Sequence, residues 1–188
     1  TSFDELKAAV AAAPTDKSET TIVLGSDIEF TGTINISAGQ NITIKDDGTA
    51  RTISAVDSSV SGTNVYSAFS VKNGGTLTIK TSVSGQDQLL AIDGTNFHSS
   101  YRSGLILTEG MFNLEGGTIS KCHNTTSTCH GTIAVLGQNA IFNMHGGTIS
   151  GNTFTGQYGG TIYVTEGAVF NMYNGTISNN TGTDVLNN

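Results

Sequence analysis

Apolar and polar residues follow two different periods along this chain. Over residues 3–13, FDELKAAVAAA, the positions Phe3, Leu6, Val10 and Ala13 recur at helical spacing. Ser2 stands three residues before Glu5, the spacing of a capping box, and Pro14 ends the segment. After Thr20 the period falls to two, in runs of three to six residues separated by Gly, Asn, Asp or Ser, which predicts short β-strands. One helix followed by many strands is thus the first expectation, with residues 1–20 as a helical cap and 21–188 as an all-β body.

The strands repeat. FNLEGGTIS from Phe112, FNMHGGTIS from Phe142 and FNMYNGTIS from Phe170 align without a gap, at separations of 30 and 28 residues. Between them recur GTIAV from Gly131 and GTIYV from Gly160, preceded by GLIL from Gly104. A looser copy, AFSVKNGGTLTIK, covers 68–80, and TIVLGSDIEFTGTINISAGQNITIK places three strands in the first 25 residues of the body.

A unit holding three short strands, with few two-residue hairpin turns, cannot build a sandwich layer alone. If each unit is one turn of a coil, equivalent strands stack in parallel about 4.8 Å apart. Inward columns then run through Phe112/Phe142/Phe170, Leu114/Met144/Met172, Ile119/Ile149/Ile177, Leu105/Ile133/Ile162 and Leu107/Val135/Val164. Outward polar ladders are Asn113/Asn143/Asn171, Thr118/Thr148/Thr176 and Ser120/Ser150/Ser178. The pattern predicts a right-handed parallel β-helix of about five to six coils, its first open end covered by the 3–13 helix. An antiparallel β-sandwich is the competing architecture.

Composition agrees and narrows the function. The chain holds 24 Gly and 1 Pro, is 12% charged and carries a net charge of −7. Like charges stacked one rung apart would repel, so a solenoid favours low charge. An acidic chain without a basic cluster excludes nucleic-acid binding as an expected role. No apolar run is long enough to span a bilayer.

The run ISGNTFTGQYGGTIYVTEGAVFNM, 149–172, resembles the repeats of bacterial surface proteins with right-handed β-helix passenger regions. The shared elements are Ile149 with Asn152, then Gly159, Gly160 and Ile162; Ile177 with Asn180 starts the next copy. Chlamydial polymorphic outer-membrane protein repeats are similar, with Phe where this chain has Ile. Residues 21–44 resemble the opening of adhesin-like proteins of gut Gram-positive bacteria. The resemblance covers 104–188 well, 1–50 fairly and 50–100 thinly. It implies an extracellular, cell-surface setting, with attachment to the wall through regions outside 1–188. The final TGTDVLNN follows a repeat without a stop signal, so a longer chain is expected.

Candidate chemistry is sparse. Cys122-His123 and Cys129-His130 lie in SKCHNTTSTCH, and Cys122 occupies the turn position of Asn152 and Asn180. A Cys122–Cys129 disulfide is the simplest reading in an oxidising setting, with free thiols and a tetrahedral metal site as alternatives. No metal or other cofactor is expected. Polysaccharide cleavage would need two facing carboxyl groups. The acids available are Asp46, Asp47, Asp57, Asp87, Asp93, Glu109, Glu115 and Glu166, and Arg51 and Arg102 lie in no recognisable lyase pattern. No catalytic residue is assigned. By alternation Tyr163 and Tyr173 point outward, His145 shares a ladder with Tyr173 and Glu115, and Tyr101, Tyr158 and Phe154 sit in turns. Outward rings on a polar surface offer flat apolar faces to sugars, so Tyr163, Tyr173, His145, Tyr158 and Tyr101 are the candidate ligand-binding residues. The one Thr per coil in GTIS is too few for ice binding. The expectation is a monomeric, non-catalytic surface module that is structural or binds a host or dietary glycan or a host surface protein. The alternative is a polysaccharide-active β-helix enzyme, a lyase or glycoside hydrolase.

Overall fold

The computed structural model describes residues 1–56, 67–97, 104–124, 130–154, 160–182 and 185–187. Their strands form three six-stranded parallel sheets, and each turn of the chain contributes one strand to each. The first sheet runs Glu19–Leu24, Asn41–Asp46, Thr76–Ile79, Met111–Leu114, Ile141–Met144 and Val169–Met172. The second runs Ile28–Phe30, Arg51–Ala55, Leu90–Asp93, Thr118–Ser120, Thr148–Ser150 and Thr176–Ser178. The third runs Ile34–Ile36, Phe69–Val71, Ile106–Thr108, Ile133–Val135, Ile162–Val164 and Val185–Asn187. Six coils of a parallel β-helix result. A short extra pair, His123–Asn124 beside Thr153–Phe154, lies where no strand was expected.

The core is the sum of the inward columns. Phe112, Phe142 and Phe170 are register partners, and the column continues back through Leu77 to Ile42. Ile119, Ile149 and Ile177 continue back through Ile92 and Ile53 to Ile28. Phe112 and Phe142 are fully buried and stack at 4.9 Å between ring centroids, as do Phe142 and Phe170. In the last coil Phe170 is half-buried and Met172 is 48% exposed, because among the described residues no further rung lies over them.

The third sheet corrects two expected columns. Ile133 pairs with Ile106 and Val135 with Thr108, not with Leu105 and Leu107. Leu107 opposes Ala134 on the other face. Side chains alternate along a strand, so a one-residue shift exchanges inside for outside. The Gly104 and Gly131 motifs, aligned on their glycines, give the register that the structure adopts.

The helix Phe3–Ala12 begins with the expected capping box, in which Glu5 N–H donates to Ser2 Oγ and Ser2 N–H to a Glu5 carboxylate oxygen. It lays Leu6 and Val10, both buried, over the first coil, and Phe3 packs edge-on against Phe30 at 5.3 Å. The helix C-terminus is held by Gln40, whose buried amide donates to the carbonyls of Val10 (2.7 Å) and Ala13 (3.2 Å). The Val10 carbonyl also accepts from the C-cap Ala13 N–H at 3.2 Å, so Gln40 reinforces the last turn of the helix and ties it to the first coils. Among the described residues no helix is long and apolar enough to cross a membrane.

Turns are fixed by side chains from neighbouring coils. Asp46 is fully buried and accepts from the N–H groups of Gly48 and Ser82, each at 2.8 Å, and from the Ser82 hydroxyl. Burial alone would raise its carboxyl pKa, but the Ser82 and Gly48 hydrogen bonds outweigh that and hold it below the usual value of 3.8. A group with a depressed folded-state pKa contributes stability that is complete above the unfolded value and lost as pH falls through the folded one. Asp46→Asn is therefore expected to cost about 1–3 kcal/mol at neutral pH, by turning an amide against buried donors. It should also flatten the fall in stability below about pH 4. Urea unfolding at pH 7 and pH 3 checks this; an equal loss at both would contradict it.

Candidate functional site

The outer face of the first sheet carries three columns. The middle one is Thr21, Thr43, Thr78, Asn113, Asn143 and Asn171. Asn171 Nδ2 donates to Asn143 Oδ1 at 2.9 Å, Asn143 Nδ2 to Asn113 Oδ1 at 3.0 Å, and Asn113 Nδ2 to Thr78 Oγ1 at 3.2 Å. At the other end of the column Thr43 donates to Glu19 at 2.8 Å. The expected asparagine ladder is thus a continuous hydrogen-bonded chain. On one side lies the column Asn41, Thr76, Met111, Ile141 and Val169, polar at the capped end and apolar at the other. On the other side lie Lys45, within its strand, and Lys80, Glu115, His145 and Tyr173, each just past the end of its strand, the last three set by backbone bonds to Ile79, Leu114 and Met144.

Two adjoining depressions of about 390 Å³ each open on this face. They share Asn41, Thr76 and Met111, so they form one groove. The first reaches Asn73, Asn139 and the backbone of Gly74, Gly75 and Gly110; the second reaches Thr78, Asn113, Glu19, Lys80 and Glu115. The Thr43 and Thr21 hydroxyls and nearby Lys80 hold the Glu19 carboxyl below its usual value, so Glu19 is ionised at neutral pH.

The structure brings together two of the five expected ligand-binding residues. His145 and Tyr173 are stacked at 4.6 Å with an interplanar angle of 4°, and Tyr173 is 65% exposed. Tyr163 does face outward in register, but on the third sheet, and it is only 5% exposed because the His130 ring lies flat on it at 4.5 Å. With His130, Leu107 and Thr165 it lines a separate depression of about 460 Å³. Tyr101 and Tyr158 lie outside the described residues. Phe154, expected in a turn, is in a strand and buried.

Cys122 is buried, and its N–H donates to the Oδ1 of Asn152, whose own N–H donates to the Oδ1 of Asn180. It does take the place of an asparagine in this turn ladder. Cys129 lies outside the described residues, and the disulfide with it. Among the described residues no three His, Cys, Asp or Glu side chains converge as a metal site would require.

No protein family, curated protein or solved structure matches this chain.

Most of the acids considered for catalysis are held by partners, while Glu115 lines the groove beside Glu19. Asp47 pairs with Arg51 at 2.7 Å, Glu109 with Lys72 at 3.5 Å and Asp93 with Lys121 at 2.7 Å. Burial of Asp93 acts to raise its pKa, but the Lys121 and Thr95 hydrogen bonds prevail and lower it. Asp87 ties a turn to the outer ladder of the second sheet, accepting from Gly117 N–H at 3.3 Å and Thr148 Oγ1 at 3.0 Å. Asp57 lies outside the described residues. Every carboxyl shift resolved among the described residues is downward, whereas a general acid needs an upward one.

Sequence reasoning missed the capped half of the groove: Glu19, Asn41, Thr43, Thr76, Thr78 and Lys80. These residues precede Asn113, Met111 and Glu115 in the same columns. The copy at 68–80 held the signal, had the ladders been carried back through it.

Proposed function

We propose that this chain is an extracellular, adhesin-type surface module that binds a glycan without cleaving it, through the outer face of the first sheet. The observation that carries this reading is the groove itself. It crosses several coils and is walled by amides and hydroxyls, which can both donate to and accept from sugar hydroxyls. The resemblance of the repeats to bacterial surface proteins supports the extracellular setting. Host and dietary glycans share this chemistry.

A polysaccharide-active enzyme is the second reading, favoured only by the presence of Glu19 and Glu115 at the same groove. Glu19 is a poor general acid because its charged form is the one stabilised.

A glycan array with the purified protein, followed by product analysis of each hit, tests the proposal. Binding without new reducing ends or unsaturated products is the expected result. Cleavage products would transfer the chain to the enzyme reading, and failure to retain any glycan would remove the binding reading.

A further inference from the structure

Resting on that glycan-binding reading, we infer that the ligand is a neutral, unbranched polysaccharide lying along the solenoid axis, over the asparagine ladder. The first argument is spacing. Asn113, Asn143 and Asn171 present one amide per coil, each about 4.8 Å from the next. Each uses one of its two N–H groups on the neighbouring rung, which orients the second toward a ligand and fixes the side chain beforehand. Pre-organised donors repeated along one line suit a polymer that runs along that line. A short or end-bound epitope would meet only one or two of them.

The second argument is the apolar flank. Met111, Ile141 and Val169 run beside the ladder, half-buried or exposed, so a strip of C–H surface lies parallel to a strip of amides. A pyranose ring has the same division, with C–H groups on its faces and hydroxyls at its rim. Laid flat along the strip, successive rings place their faces on Met111 and Ile141 and their rims against the amides. The stacked pair of His145 and Tyr173 borders the other side of the ladder.

The third argument is charge. The groove lining holds two lysines, Lys17 and Lys80, and two glutamates, Glu19 and Glu115. These cancel, on a chain whose net charge is −7. A polyuronate or sulfated chain would meet no excess of positive charge and would face the field of an acidic protein.

The test measures binding by affinity electrophoresis and calorimetry. The probes are neutral linear polymers (β-glucan, xylan and mannan), their oligosaccharides from disaccharide to octasaccharide, and polygalacturonate. Expected is retention by at least one neutral polymer, affinity rising with oligosaccharide length beyond the disaccharide, and no retention by polygalacturonate. Asn113→Ala and Asn143→Ala should each weaken binding roughly 3–10-fold. Glu115→Lys, an exposed surface change, should create salt-sensitive retention by polygalacturonate if the charge balance sets the selectivity. Preference of the wild type for polygalacturonate, or affinity that stops rising at the disaccharide, would overturn the inference while leaving glycan binding intact. Retention by none of the polymers would overturn the inference, and the glycan-binding reading falls with it only if the glycan array is also empty. Unchanged affinity in correctly folded asparagine variants would place the ligand elsewhere on the surface.

Discussion

Replacing Phe142 with alanine is expected to lower the unfolding free energy by about 3–5 kcal/mol. Phe142 is fully buried and sits between two parallel rings, Phe112 and Phe170, each 4.9 Å away and inclined by 17°. Truncation removes both contacts and leaves a cavity that the backbone cannot close, because the rung spacing is held by hydrogen bonds above and below. In a solenoid each coil is stabilised mainly by its two neighbours. A defect in the fifth coil therefore weakens its interfaces with the fourth and the sixth together. Two controls separate the causes. Phe142→Leu keeps most of the apolar volume and loses the ring contacts, so its cost should be smaller, about 1–3 kcal/mol for two stacked pairs. Phe170→Ala, at a half-buried site in the last coil, should cost less than Phe142→Ala. Urea unfolding of the three variants gives the ranking, and an equal loss at Phe142 and Phe170 would contradict it.

The same column shows why so much of the architecture could be read from the chain. Phe112, Phe142 and Phe170 recur in identical surroundings, and identity of surroundings is what in-register stacking demands. The asparagine ladder was legible for the same reason, and its hydrogen bonds follow the expected line. What escaped notice lies where the turns change length. Between the third and first sheets the chain uses Lys72 to Gly75 in one coil and only Glu109 and Gly110 in the next. That change of two residues hides the continuity of Thr76 and Thr78 with Met111 and Asn113, and with it half of the groove. The slip at Leu105 and Leu107 has a related origin: GLIL has three adjacent apolar residues, so alternation alone does not choose its inward face. Burial of Tyr163 could not be inferred from its strand, because the ring that covers it, His130, precedes the strand of the previous coil. Strand periodicity reports which way a side chain points, and it carries no information about what is folded over it.

Glycine at the turn from the first to the second sheet supplies the other large expected effect. Gly147→Ala is expected to destabilise the protein by at least about 2 kcal/mol, through two separable causes. Its backbone has φ +81°, which an L side chain adopts only with strain. A Cβ there would also lie 2.9 Å from the carbonyl oxygen of Gly117 and 2.9 Å from Leu114 Cγ, in the coil before. Gly117 and Gly175, with φ of +98° and +101°, hold the same position in the neighbouring coils, so the strain belongs to the turn and not to one residue. Gly137→Ala isolates the backbone cause, because φ is +97° there and a Cβ would meet nothing within 4 Å. Gly146→Ala isolates the steric one, since its φ is not left-handed and a Cβ would stand 2.5 Å from the Glu115 carbonyl oxygen. The Gly137 variant should lose about 1–2 kcal/mol. The Gly147 variant should lose more than the Gly137 variant, by whatever the approach of adjacent coils costs. That difference also bears on the groove: moving Gly146 and Gly147 away from the fourth coil would pull His145 and Asn143 out of line with Glu115 and Asn113. Thermal unfolding of the three variants, with ligand affinity measured below their transitions, therefore reports how tightly the coil spacing is set and whether binding depends on it. Equal stability of the Gly137 and Gly147 variants would show that close packing between coils contributes nothing at this turn.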